Sequence, residues 1–240
     1  MEDVELIPRL GRLGMPPPEV AVQLSHVSKS YGPQRQSEVF TDVSLRVRRG
    51  EFVALTGPVG CGKTTLIRLI SGLERPDSGL VSVLGLELSR AREGGEAASL
   101  RSSKIGIVPQ AQSLVDGFTV AQNVELPLFL SGAGREKSSK AVESVLESLG
   151  IAPEAGRLVG ALSVGERQLV SVARALVTEP ELILMDEPTE SLDPLVAELI
   201  LGLLRGDSML RGRTVIIATH DRKVTELAGR TVRVGKKFQA

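Results

Sequence analysis

Residues 52–71 read FVALTGPVGCGKTTLIRLIS, and this stretch determines the fold class. The short apolar run FVAL at its start is typical of a buried strand in a parallel sheet. A helix is predicted over residues 63–71, closed by Gly72. A buried strand, a glycine-rich turn and a helix in this order predict one unit of an α/β fold.

The turn between this strand and this helix fits the pattern G-x-x-x-x-G-K-[ST] at residues 57–64, in the context that the pattern requires. Glycines let the backbone wrap around a phosphate chain with its N–H groups pointing inward, and the helix N-terminus adds partial positive charge. Lys63 can reach the β- and γ-phosphates, and the Thr64 hydroxyl can bind Mg²⁺. A plain strand–turn–helix junction is the alternative, but a chance match is expected in only on the order of one in a hundred chains of this size. Phosphate binding is therefore predicted for Gly57, Pro58, Val59, Gly60, Cys61, Gly62, Lys63, Thr64 and Thr65.

The rest of the chain continues the α/β pattern. Apolar and polar residues alternate near residues 20–24, 43–47 and 80–84, as in half-buried antiparallel strands. Residues 91–104 are polar and give no clear pattern. Further buried strands are predicted at residues 105–108, 182–185 and 214–218, and helices at residues 141–149, 163–177 and 194–204.

These elements predict how the chain is organised. The fold class is α/β, with a mostly parallel sheet, an antiparallel β subdomain and a helical subdomain at about residues 111–177. Glycines and three consecutive prolines make residues 1–20 a predicted flexible extension, ahead of one domain over residues 21–240.

The composition excludes several classes of protein. One cysteine in 240 residues excludes a disulfide framework and a zinc site built on several thiolates. The 29 basic and 29 acidic residues balance, so no overall field attracts the chain to nucleic acid or anionic lipid. No stretch approaches the roughly 18 apolar residues of a membrane span, and the N-terminus has no signal-peptide pattern. An intracellular soluble protein is predicted.

Two carboxylates end one of the predicted buried strands, at Asp186 and Glu187. The carboxyl end of a parallel strand is where such sheets bind ligands, so Asp186 can hold a metal ion. Glu187 can then orient or deprotonate an attacking water molecule. An acidic pair at a strand end is more often a turn or a helix cap, but the phosphate loop upstream favours the functional interpretation.

Residues 162–166, LSVGE, resemble the LSGGQ signature of ATP-binding-cassette (ABC) ATPases, and VARAL at residues 172–176 resembles the sequence that follows it. Other marks of this family occur in the family's order, and together they cover about residues 21–240. The resemblance implies a P-loop NTPase core that binds ATP and Mg²⁺ and hydrolyses ATP. The further marks are Tyr31, Gln110, the loop Ser191-Leu192-Asp193 and the loop Thr219-His220-Asp221.

The resemblance also implies a role for each of these marks. Tyr31 would stack on adenine, and His220 would contact the γ-phosphate. Gln110 would touch Mg²⁺ and sense a membrane partner. Asp193 lies in a loop that belongs to the nucleotide site in the family. Taken alone, each of these residues has an ordinary structural interpretation, and it is their order that makes the pattern specific.

In the family two such subunits enclose two ATP molecules, and the signature of one caps the γ-phosphate held by the other. Ser163 and Gly165 are retained for that contact. Val164 stands where the family has Gly and Glu166 where it has Gln, so a branched side chain and a charge are added there. We therefore expect hydrolysis that is slower than at a consensus site but not lost.

The stretch DGFTVAQNVELPL at residues 116–128 resembles the lipoprotein-releasing, macrolide-exporting and cell-division group of these ATPases. This implies export, extraction or mechanical signalling across a membrane more than nutrient import. It also implies separate transmembrane permease subunits, docked near Gln110 and the helical subdomain, a second ATP-binding subunit that is identical or different, and no nucleic acid partner. The implied location is cytoplasmic, peripheral on the inner face of the cell membrane. Two alternatives remain: a soluble ABC ATPase not coupled to transport, and a regulatory ATP-binding module with weak hydrolysis.

Overall fold

A computed structural model describes residues 20–33, 37–91, 95–190, 192–238 and 240 of the chain. The predicted extension over residues 1–20 therefore lies outside the described residues except for Val20, and so does Ser191. The described strands are β1 Val20–Tyr31, β2 Ser37–Arg48, β3 Phe52–Thr56, β4 Ser78–Val83, β5 Leu86–Glu87, β6 Ile105–Val108, β7 Leu182–Asp186, β8 Thr214–Ala218 and β9 Arg230–Arg233. The described helices are α1 Lys63–Ile70, α2 Glu96–Lys104, α3 Val120–Leu130, α4 Arg135–Ser148, α5 Val164–Leu176, α6 Pro194–Arg211 and α7 Arg222–Leu227.

The strands form two sheets. A five-stranded sheet has the order β6-β7-β8-β3-β9 with every described pair parallel, and a four-stranded antiparallel sheet has the order β2-β1-β4-β5. The carboxyl ends of β3, β7 and β8 are neighbours in the parallel sheet, so the residues that follow these three strands converge at one edge.

Both faces of the parallel sheet are buried, which explains the continuous apolar runs of its strands. Along β7, Leu182 and Leu184 face a core that also contains the antiparallel sheet and α1. Ile183 and Met185 face a second core, formed with α3, α4, α5 and α6. Because successive side chains of a strand point to opposite faces, one apolar strand serves both cores.

The structure adds elements that the pattern did not predict. The polar segment over residues 91–104 contains α2, which buries only Ala97 and Leu100 on one side. Strand β9 is an edge strand with one buried side chain, Val232, so it has no apolar run to detect. Among the described helices, none combines the length and the apolar character that crossing a membrane requires.

Candidate functional site

The loop between β3 and α1 has backbone conformations that need glycine. Gly57, Gly60 and Gly62 have φ of 148°, 78° and 101°. A Cβ at Gly62 would lie 2.5 Å from Cγ1 of Val39 and 3.0 Å from Cδ1 of Phe40, so packing against β2 also excludes a side chain there. The loop therefore presents backbone N–H groups at the start of α1, as expected for a phosphate cradle.

The side chain of Lys63 lies inside this loop. Its Nζ donates to the carbonyl oxygen of Gly57 at 3.1 Å and to that of Pro58 at 3.5 Å. The same Nζ is 3.7 Å from Oε1 of Glu187, and both side chains are 9% exposed. A buried ammonium held mostly by neutral carbonyl groups is available to a phosphate, because no carboxylate of the described residues lies within direct hydrogen-bond distance of it.

Asp186 and Thr64 place two hard oxygen ligands beside the loop. Asp186 is 3% exposed, and the Thr64 hydroxyl donates a hydrogen bond to its carboxylate. Burial raises the pKa of the Asp186 carboxyl, while the Thr64 hydrogen bond and the nearby Lys63 oppose that rise. The donor set fits Mg²⁺, which is usually bound by one or two carboxylates together with phosphates and water. The described residues contain no group of three or more His, Cys, Asp or Glu side chains that could hold a metal ion without a phosphate ligand.

Glu187 connects the phosphate loop to His220. Its Oε2 accepts a hydrogen bond from the backbone N–H of His220 at 3.2 Å and lies 3.0 Å from Nδ1 of the His220 ring. Its backbone has φ of 47°, in a region that non-glycine residues seldom adopt, and its N–H donates to the carbonyl oxygen of Ala218 at 2.8 Å. This turn directs a buried carboxylate toward the loop, between Lys63 and His220.

Gln110 contacts a carboxylate that sequence reasoning did not select. Its Nε2 donates to Oε2 of Glu190 at 2.9 Å. Glu190 belongs to the same turn as Glu187, because its N–H donates to the Glu187 carbonyl oxygen at 3.2 Å. This hydrogen bond uses the amide nitrogen, so the amide oxygen, which is the atom that would bind Mg²⁺, can still make the predicted contact. No motif or periodic spacing in the sequence links Glu190 to Gln110, which lies 80 residues earlier in the chain.

Tyr31 lies at the end of β1, beside the first turn of α1. Its hydroxyl donates to Glu74 and also contacts Oγ1 of Thr65 at 3.4 Å. Thr65 follows Thr64, so the ring stands next to the phosphate loop. The residue is 37% exposed, which leaves ring surface for a ligand.

The signature-like segment forms the N-terminus of α5. The Ser163 N–H donates to Oε2 of Glu166 at 2.7 Å, and the Glu166 N–H donates to Oγ of Ser163 at 3.3 Å, which is a reciprocal capping box. The Glu166 carboxylate accepts hydrogen bonds from the side chain and the backbone of Ser163, and these, with a smaller contribution from Arg157, lower the pKa of its carboxyl group. The side chain of Val164 is exposed.

Within one chain, this segment and the phosphate loop remain separate. No hydrogen bond or ion pair among the described residues joins Ser163 or Gly165 to the loop, and Asp193 accepts a local hydrogen bond from the N–H of Leu195 at 2.8 Å. The structure thus brings together Tyr31, the phosphate loop, Asp186, Glu187 and His220, and none of the described hydrogen bonds or ion pairs joins the predicted signature residues to them.

Comparison with known proteins places this geometry in a family. A sequence model of the family described as "ABC transporter" matches residues 40–190. The chain is 36% identical over 214 residues to the uncharacterised ABC transporter ATP-binding protein YknY of Bacillus subtilis, covering 89% of this chain and 92% of that protein. It is 41% identical over 215 residues to the lipoprotein-releasing system ATP-binding protein LolD of Bordetella pertussis, covering 89% of this chain and 91% of that one.

Among solved structures, the dimeric post-hydrolysis state of the ATP-binding cassette MJ0796 bound to ADP and Pi superimposes with a TM-score of 0.85. The sequences are 32% identical, and the match covers 90% of this chain and 95% of that one. The predicted fold class and the predicted family are both confirmed. The chain therefore belongs to the ABC transporter family, as one of its ATP-binding subunits with ATPase activity.

Proposed function

We propose that this ATPase works as one of two ATP-binding subunits that enclose Mg²⁺ and ATP, and that the pair drives separate transmembrane permease subunits from the cytoplasmic face of the membrane. The observation that carries the proposal is the convergence of Lys63, Asp186 and Glu187 on one glycine-rich loop. A cation, a carboxylate with a neighbouring hydroxyl and a second carboxylate are the groups that phosphoryl transfer to water needs.

Each of these groups has a separate task. The loop N–H groups and Lys63 hold the phosphates, and Thr64 and Asp186 would hold Mg²⁺, which when bound neutralises charge on the phosphate oxygens. Glu187 accepts the proton of the attacking water, and its contact with His220 fixes its orientation. His220 is 65% exposed on its side chain, so its ring can also reach a γ-phosphate in the loop.

The capping box of Ser163 and Glu166 affects how the second subunit would contact this ATP. The Ser163 N–H, which in the family contacts a γ-phosphate across the dimer, is engaged by the Glu166 carboxylate. That carboxylate is also a negative charge at the helix end that must approach a phosphate. Both effects oppose closure of the dimer, which is the structural basis for expecting slow hydrolysis.

Glu166→Gln is therefore expected to raise ATP turnover about fivefold, the equivalent of about 1 kcal/mol of relieved repulsion. Glutamine retains the acceptor oxygen of the capping box and removes the charge. Steady-state phosphate release measures the effect. The matched control is Glu154→Gln, which removes the other carboxylate bound to Arg157, at 2.6 Å, and leaves the signature unchanged. Unchanged or slower turnover of Glu166→Gln would contradict the assignment.

The permease would dock on the face formed by α3 and the start of α4. A groove of about 600 Å³ lies there. Phe129, which lines it, and the following residue Leu130 are 75% and 69% exposed. The groove overlaps the segment over residues 116–128. The relative LolD is named as the ATP-binding protein of a lipoprotein-releasing system, and YknY as an ABC transporter ATP-binding protein. An apolar helix of a membrane subunit fits this surface. The groove is lined by Phe118, Gln122, Glu125, Leu126, Phe129, Ala133, Arg135 and Ser138.

Phe129→Asp is expected to abolish recovery of the protein with membranes, because it places a charge in the apolar docking surface. In the test, a tagged chain is expressed in the organism that encodes it and the membranes are extracted with detergent. Co-purification of an integral membrane protein with the tagged chain is then measured. Leu210→Asp, at an 87% exposed apolar position of α6, is the matched control and should co-purify normally. A wild-type chain that stays in the soluble fraction would instead favour a soluble ABC ATPase.

A further inference from the structure

The hydroxyl of Tyr31 is bound by a carboxylate that none of the roles above requires. It donates to Glu74, which lies in the turn after α1, 43 residues further along the chain. The contact with Thr65 at 3.4 Å joins the same hydroxyl to α1 itself. The phenol is therefore anchored to the helix that begins at the phosphate loop.

Glu74 is itself held in place by two cations. Its Oε1 accepts a hydrogen bond from Nη1 of Arg68 at 3.0 Å, and its Oε2 lies 3.8 Å from Nζ of Lys29. The Glu74 side chain is only 20% exposed although it carries a charge. Arg68 belongs to α1 and orients the Glu74 carboxylate. The position of α1 therefore determines where this carboxylate holds the Tyr31 phenol.

Lys29 restricts one face of the ring. Its Nζ lies 5.2 Å from the centre of the Tyr31 ring and also donates to the carbonyl oxygen of Arg75 at 2.8 Å. An ammonium over one face of an aromatic ring leaves the other face for a flat ligand. The ring is thus fixed along its edge by Glu74 and covered on one side by Lys29.

We propose that Glu74 is a positioning residue for the base of the nucleotide: it holds Tyr31 in place before binding, so that the open face of the ring meets the base when the phosphates enter the loop. The inference rests on the proposed role of Tyr31 in base stacking. Its energetic basis is preorganisation, because a side chain that is already ordered loses little conformational entropy on binding.

The titration of Tyr31 provides an independent readout of this contact. Burial raises the pKa of the Tyr31 phenol, and the hydrogen bond to the Glu74 carboxylate raises it further. The chain has one tyrosine and no tryptophan, so tyrosinate absorbance reports Tyr31 alone. Glu74→Gln should therefore lower the observed tyrosine pKa.

The decisive experiment compares the binding of Mg-ATP with that of Mg-tripolyphosphate, which has the phosphates but no base. Glu74→Gln is expected to weaken ATP binding about fivefold and to leave tripolyphosphate binding within about twofold. Glu74→Asp, which keeps the charge but shortens the reach to the phenol, should act in the same direction. The control is Glu136→Gln, which removes a carboxylate from an exposed ion pair on α4. It should leave the binding of both ligands and the tyrosine pKa unchanged.

Three outcomes would overturn the inference. Equal weakening of ATP binding and tripolyphosphate binding would show that Glu74 supports the phosphate loop and does not position the base. Unchanged ATP binding, with or without a shift in the tyrosine pKa, would remove its positioning role. If Tyr31→Ala leaves ATP binding unchanged, the base-stacking role predicted for Tyr31 from the sequence fails as well, and this third arm separates the two failures.

Discussion

Glu187→Gln is expected to lower ATP turnover about 100- to 1,000-fold while ATP affinity stays within about twofold. Glutamine has nearly the same shape and can still accept hydrogen bonds from His220, but it cannot take a proton from water. The native carboxylate is 9% exposed and stands between Nζ of Lys63 at 3.7 Å and Nδ1 of His220 at 3.0 Å. Little bulk water can replace it as a proton acceptor, so the loss should be large.

The Glu187→Gln substitution should also change how two copies of the chain associate, and size-exclusion chromatography with ATP measures this association. If ATP holds two copies together and hydrolysis releases them, Glu187→Gln should accumulate as an ATP-bound dimer while the wild type returns to monomer. Lys63→Ala is the control, because removal of the loop ammonium prevents phosphate binding and should give no dimer. Turnover of Glu187→Gln equal to that of the wild type would refute the role of Glu187. Wild-type turnover no higher than that of Lys63→Ala would favour a regulatory module with weak hydrolysis.

The elements around the phosphate loop were predictable because local signals specify them. The predicted strand at residues 52–55 is β3 Phe52–Thr56, and the predicted helix at residues 63–71 is α1 Lys63–Ile70. A strand buried on both faces needs an uninterrupted apolar run, and the left-handed turn before α1 needs glycine at Gly62. Both requirements restrict the residue types at a few consecutive positions, so both can be recognised in the sequence.

The partners of the site residues were not predictable, since tertiary packing selects them. Glu74 is 43 residues from Tyr31, and Glu190 is 80 residues from Gln110. Neither separation has a periodic or motif signal. Glu166 is a different case, because Ser163 and Glu166 form the S-x-x-E pattern of a capping box. Compared with the family signature, Glu166 is an added charge, and in the structure it also caps α5.

Asp186→Asn is expected to produce a protein that is more stable without ligand and nearly inactive. Burial raises the pKa of Asp186, so the native state disfavours the ionised carboxylate relative to the unfolded chain, whose reference value is 3.8. A raised native pKa means that the native state binds the proton more tightly than the unfolded state does. Stability therefore falls as pH rises from the unfolded value through the raised native value, and the loss persists at neutral pH.

Asparagine removes this charge, so the melting temperature of the ligand-free protein at neutral pH should rise by a few degrees. The same substitution removes the carboxylate ligand of Mg²⁺, and turnover should fall by about 100-fold or more. Thermal unfolding with ATP, with and without Mg²⁺, separates the two effects: the wild type should gain stability from Mg²⁺ and Asp186→Asn should not. Asp116→Asn, at a side chain that is 74% exposed, is the matched control and should behave as the wild type in both respects. A ligand-free Asp186→Asn protein that melts below the wild type would contradict the predicted cost of the buried charge, and one that keeps the Mg²⁺-dependent shift would contradict the metal-binding role of Asp186.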